Sequence, residues 1–206
     1  MLCLDRWQGL CQRLGVTNNI EQEFTRLVAA YGEPHRAYHT AQHIGECLAL
    51  LDSLGELLTL QQLSVLELAL WYHDMVYQPN ARNNEQRSAD EAVAFLNDVT
   101  IAEWVQALIM ATRHSTEPDG GLTNWIVDID LAILGAAPDR FLQYEHQIRQ
   151  EYAWLSAEVY GHKRRQAMTQ FLERPRLYCS MLFFERFEHQ ARQNLAWLLL
   201  ESPLSS

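Results

Sequence analysis

Leu63-Ser64-Val65-Leu66-Glu67-Leu68-Ala69-Leu70-Trp71-Tyr72-His73-Asp74 is the stretch on which the reading of this chain turns. Leu63, Leu66 and Leu70 recur at three and four residues, the spacing of one face of an α-helix. Continued by three and four residues from Leu70, the same face reaches His73 and Asp74. An unpaired charge on an inward face costs several kcal/mol. The stretch therefore predicts a helix over residues 63–77, closed by Pro79, that aims two polar groups at the core and needs something there to compensate them.

The pattern is helical on both sides of this segment. Asn18 or Asn19 can cap a helix with the stripe Ile20, Phe24, Leu27, Val28 and Tyr31, ending at Gly32. Residues 39–54 carry Ile44, Cys47, Leu48 and Leu51 at helical spacing, and a further helix is expected over residues 85–96. Thr100-Ile101-Ala102-Glu103 has the form of a capping box. Residues 115–121, with Pro118 and paired glycines, read as a loop. A helix follows over residues 124–134, and Pro138 stands where a first-turn proline belongs. Two more helices are expected after that, broken at Arg174-Pro175. The expected fold class is all-α, as one domain over residues 1–206.

Composition narrows the function classes. The 206 residues are 48% hydrophobic, with only 9 Gly and 6 Pro, as in a globular protein. A formal net charge of −10 disfavours general nucleic-acid binding, because a phosphate backbone would be repelled. The densest basic run, His162-Lys163-Arg164-Arg165, reads as a solvated helix face. Four scattered cysteines without a C-x-x-C pair fit a reducing, cytoplasmic setting. The N-terminus lacks the form of a signal peptide, and no apolar run approaches membrane-spanning length, so no membrane partner is expected. Oligomeric state is not legible.

Three helices put polar residues where apolar ones belong. His73 and Asp74 end the central stretch. His43 lies beside Cys47 and Leu51, with His39 four residues earlier. In the helix of Ile126, Ile129, Ile133 and Leu134, Asp130 falls within the stripe and Asp128 falls off it. Two histidines and two carboxylates aimed inward make a plausible octahedral nitrogen and oxygen site for a divalent cation.

Taken in order, His43, the His73-Asp74 doublet and Asp130 resemble the HD superfamily of metal-dependent phosphohydrolases. The chain looks closer still to stand-alone bacterial HD-domain proteins of about this length. The shared features are Arg36-x-Tyr38-His39-x-x-x-His43, Trp71-Tyr72-His73-Asp74, Asn84-Glu85-x-x-Ser88-Ala89 and Asp128-x-Asp130-x-x-Ile133-Leu134-Gly135. Arg174-Pro175 with Leu177-Tyr178, and Ala191-Arg192 with Asn194-Leu195, extend the likeness to the C-terminal part. The resemblance implies a compact multi-helix HD-domain bundle, with a metal-binding core at about residues 35–135 and a C-terminal helical extension at about 138–202.

It also implies a chemistry. His43, His73, Asp74 and Asp130 would hold a divalent ion (Mn, Fe, Co, Ni, Zn or Mg), and a metal-activated water would cleave a phosphate ester or anhydride of a small molecule, first of all a nucleotide. Asp74, His39 and Glu85 take the catalytic roles: Asp74 orients the water, His39 acts as general acid or supporting partner, and Glu85 acts as base or orients the water. Many HD enzymes place a Lys or Arg soon after the doublet, but here Met75-Val76-Tyr77-Gln78-Pro79 follows. Substrate phosphate would fall to Arg36, Arg82, Arg87 or Arg113, the last together with His114. A rival reading from another class is a non-catalytic metal- or nucleotide-binding sensor. A zinc peptidase is opposed by Thr40, which stands where H-E-x-x-H needs its glutamate.

Overall fold

The computed structural model describes residues 2–114 and 120–201, with Glu201 described by its backbone alone. Among these, ten α-helices and one 3-10 turn make up the regular structure, and there is no strand. The all-α expectation holds. No helix among the described residues is long and apolar enough to cross a membrane. Of the expected loop at 115–121, residues 115–119 lie outside the described residues. Gly120 and Gly121 adopt φ of 99° and 60°, a region that suits glycine.

The chain divides into two compact units, residues 1–129 and 130–206. The division falls inside a helix. The first unit contains α1 (Leu4–Arg13), α2 (Ile20–Ala30), α3 (Ala41–Asp52), α4 (Leu60–Tyr72), α5 (Asn84–Phe95), α6 (Val99–Ala111) and most of α7 (Leu122–Leu131). Its centre is α4, against which α1, α3, α5 and α6 all pack. From Val65 to Tyr72 this helix has no outward face: Val65, Leu66, Leu68, Ala69, Leu70, Trp71 and Tyr72 are all fully buried. Leu63 is half-buried. The one-sided stripe read from the sequence is therefore a helix buried all round, as an apolar run of this length permits. Glu67 is tolerated within it because Arg6 and Arg13 of α1 each approach its carboxylate to 2.6 Å.

Local capping sets the helix limits and corrects several expected boundaries. Thr59 and Gln62 form a reciprocal capping box that starts α4 three residues early. The helix stops at Tyr72 with His73 as its C-cap, so it does not run on to residue 77. The oxygen of the Thr40 side chain accepts from the Gln42 amide and starts α3 at Ala41. His39 thus precedes the helix and does not share its face with His43. In α6, Asp98 accepts from the Ile101 amide at 3.0 Å. That places Thr100 inside the helix, where the expected capping box does not form. Asn19 occupies the cap position of α2 in a left-handed conformation (φ 56°), with no side-chain cap bond.

The second unit contains the end of α7, the 3-10 turn Ala132–Gly135, α8 (Pro138–Glu151), α9 (Ala157–Leu172) and α10 (Met181–Glu201). Its 3-10 turn is gripped from several directions. The Asn194 side-chain amide donates to the carbonyls of Leu134 and Ala136 at 2.8 and 2.9 Å. The Tyr178 hydroxyl donates to the Leu131 carbonyl at 3.0 Å. Glycine is required at 135: a Cβ there would lie 2.7 Å from the Phe187 carbonyl oxygen and from its Cβ. Arg164 does not join a solvated face; it is paired with Glu145 and lies over the Tyr144 ring. Those contacts hold its guanidinium pKa well above the ordinary value, although burial alone would lower it.

Candidate metal centre

Three ligand atoms converge at the C-terminal end of α4. His43 Nε2 and His73 Nε2 are 3.1 Å apart. Asp74 Oδ2 lies 3.4 Å from the first and 3.1 Å from the second. Both histidines are buried, and the Asp74 side chain keeps 18% of its exposure. Donors bound at about 2.1 Å stand about 3.0 Å apart on neighbouring corners of an octahedron and about 3.4 Å apart on those of a tetrahedron. The observed triangle has the edges of a shared coordination sphere.

Each imidazole is held from behind. His73 Nδ1 lies 3.0 Å from the Leu70 carbonyl oxygen, an acceptor only, so Nδ1 carries the proton and donates it there. Nε2 is left to face the cluster. His43 Nδ1 lies 3.0 Å from the Tyr38 hydroxyl, and the two rings tilt together at 4.7 Å. A second partner of this kind fixes the orientation of a ligating histidine, and a hydroxyl, which accepts as well as donates, fits either tautomer of His43. Cys47, one turn on in α3, covers the His43 ring at 3.7 Å from Nδ1.

Three such atoms facing one another need positive charge among them, as protons or as a cation. The acidity of Asp74 reflects this. Burial pushes its carboxyl up, but the charges of His73 and His39 and hydrogen bonds from His43 and His73 outweigh burial and hold it well below the ordinary carboxylate range. Asp74 is thus an anion at neutral pH, suited to a divalent ion.

Asp130 is half-buried and next to last in α7, which runs unbroken through the division between the units. Asp128 departs from expectation. It is fully buried, because Ile126, Val127, Asp128 and Ile129 leave that part of α7 without an outward face.

The other expected residues have varied fates. His39 sits in the turn before α3, half-buried and stacked on Tyr77 at 4.0 Å between ring centroids. Glu85 is half-buried in the first turn of α5. Arg113 is exposed just beyond α6, and His114 follows it in a left-handed conformation with φ 54°. Arg82 and Arg87 are exposed.

Arg36 does not reach outward for phosphate. Its buried guanidinium donates to the carbonyls of His39, Asp74 and Met75 at 3.1, 2.6 and 2.8 Å and makes two contacts with Glu33. Four of its five N–H groups are hydrogen-bonded in this way. It also lies between the rings of Tyr31 and Tyr77. The sequence suggested a ligand-binding cation, whereas the structure makes Arg36 the tie between the turn before α3 and the turn after α4.

Asn84 and Ser88 of the Asn84-Glu85-x-x-Ser88 stretch are structural in the same way. They pair with the backbone of Gln78 and Val76, fixing the segment that follows the doublet. Sequence reasoning gave no role to Tyr38 or Tyr77. The available signal was an aromatic residue beside each polar segment, and on its own that is indistinguishable from core packing. No family model, curated protein or solved structure matches the chain.

Proposed function

We propose that the chain is a metal-dependent phosphohydrolase of the HD type acting on a small phosphorylated molecule, with a nucleotide as the first substrate to test. The observation that carries this reading is the triangle of His43 Nε2, His73 Nε2 and Asp74 Oδ2 with edges of 3.1 to 3.4 Å. Asp130 is the proposed fourth ligand. A divalent ion held there would polarise a phosphoryl oxygen and acidify a water.

The chain's own residues supply the rest of the proposed chemistry. Tyr38 and the Leu70 carbonyl hold the two imidazoles with Nε2 forward. Asp74 contributes the negative charge that binds the cation and orients the attacking water. His39, backed by Tyr77, is the proposed proton donor to the leaving group, and Glu85 is the proposed base. Arg113 and His114 remain the proposed phosphate contacts.

A second reading, a non-catalytic metal- or nucleotide-binding sensor, is favoured by the fate of Arg36, a cation expected at the phosphate that is spent on backbone carbonyls. One experiment separates the two. Phosphate and pyrophosphate release is measured from a panel of nucleotides and sugar phosphates with manganese added, for wild type and Asp74→Ala side by side. Turnover in wild type, lost in the variant with its helical circular dichroism intact, is the expected result. Metal binding without turnover on any substrate would support the sensor. Equal turnover in both proteins would remove the proposal.

A further inference from the structure

A pocket opens in the first unit, on the face of α1 that carries Asp5, Gly9 and Arg13. These residues are spaced at four and four, so they stand in a row along one side of the helix. The pocket has a volume of about 380 Å³, the size range of small-molecule sites. Its lining is divided by chemistry.

The inner wall is an ion-pair network around the buried Glu67, with hydrogen-bonding capacity to spare. Glu67 is held by Arg6 and Arg13, and Arg6 is held again by both oxygens of Asp52. Arg13 donates through Nε to the Ser64 hydroxyl and through Nη2 to Glu67. No described residue accepts from its Nη1. That nitrogen lies 3.6 Å from the position a Cβ of residue 9 would occupy, so the free edge of the guanidinium lies over Gly9, inside the pocket.

Asp5 stands one turn before Gly9. It is exposed, and its carboxylate has no described hydrogen-bond or ion-pair partner. Leu51, Leu60 and Leu63 give the lining its apolar side chains, and Leu60 is an exposed leucine at 66%. The pocket thus presents a free anion, a free cationic edge and an apolar wall.

Gly9 is the second sign of a built site. Glycine in a helix interior costs about 1 kcal/mol relative to alanine. Packing does not demand it here, because an added Cβ would meet only the flexible end of Arg13 at ordinary contact distance. What the missing side chain does is keep the pocket open.

We propose that this pocket binds a small zwitterion with an apolar side chain, of the α-amino-acid class. Its ammonium pairs with Asp5, its carboxylate with the free edge of Arg13, and its side chain lies on Leu60 and Leu63. The site uses none of the residues of the proposed metal centre.

The test is calorimetric titration of the full chain with each of the common L-amino acids. The best binder is then compared with its N-acetyl and its carboxamide derivatives. An aliphatic amino acid should bind, and blocking either charged end should weaken binding by about tenfold or more. Gly9→Leu fills the pocket and raises helix propensity. It should abolish binding with the thermal midpoint kept or raised, so loss of binding cannot be put down to misfolding. Absence of binding by every amino acid would overturn the proposal. So would undiminished binding in Gly9→Leu, or equal binding of the blocked derivatives.

Discussion

Tyr38 illustrates what a single residue contributes here. Its hydroxyl meets His43 Nδ1, and its ring tilts against the imidazole. Partners of this kind tune a metal ligand by fixing its direction, and their loss typically costs tenfold or more in affinity. Tyr38→Phe keeps the ring and removes only the oxygen. It should bind manganese or zinc about tenfold more weakly, read by competition with a chelating dye, with an unchanged helical spectrum. Unchanged affinity would mean that the hydroxyl has no part in holding His43. The same scale explains Arg36, whose sequence position beside the histidines suggested ligand binding. Only coordinates show that its donors end on carbonyls, because nothing in a sequence says which backbone groups a fold leaves without partners.

At the scale of elements, the 3-10 turn Ala132–Gly135 is the most sharply specified piece of the chain. Gly135 approaches the Phe187 backbone so closely that a methyl group must displace α10. Gly135→Ala should destabilise the protein by about 1–3 kcal/mol, measured by urea unfolding. A change within experimental error would show that α10 shifts freely. The Ile133-Leu134-Gly135 and Asn194-Leu195 patterns, read as parts of a resemblance, acquire a physical cause in these contacts.

Helices as a class were legible because apolar spacing repeats over many residues. Their ends were less so, because a cap depends on which of several neighbouring polar side chains captures a backbone amide. Asp98 rather than Thr100, and a start after His39 rather than at it, are two such outcomes. The stripe argument agrees with the burial of His43 on α3, whereas His73 and Asp74 lie beyond the end of α4, a helix with no stripe from Val65 to Tyr72. It failed for Asp128, because an element buried on every side has no stripe to read.

For the whole molecule, the distribution of thiols makes a simple probe of folding. Cys11 and Cys47 are buried, and Cys3 and Cys179 are exposed. Two of the four should react with a thiol reagent in native protein and all four after denaturation; four in native protein would contradict the burial. Burial also pushes the Cys11 thiol up to about 11. The unfolded thiol ionises near 8.5, so the folded state favours the protonated form. Its contribution to stability is complete below that pH and is lost as pH rises towards 11. Cys11→Ala should show a shallower fall in thermal midpoint over this window than wild type, and identical slopes would refute the assignment.

The triangle of His43, His73 and Asp74 interrupts a core that is otherwise largely apolar. Three polar atoms held face to face without apolar filling are, for folding alone, a poor choice. Well-packed apolar residues of similar volume commonly give an equal or more stable protein. Thr40, Tyr38, the Leu70 carbonyl and Arg36 nevertheless fix the backbone and rings around them, as a mason's wedges hold an opening in a wall. Such local frustration is where folded chains tend to depart from their own stability optimum. On this view the doublet marks the spot where the molecule is least designed for itself.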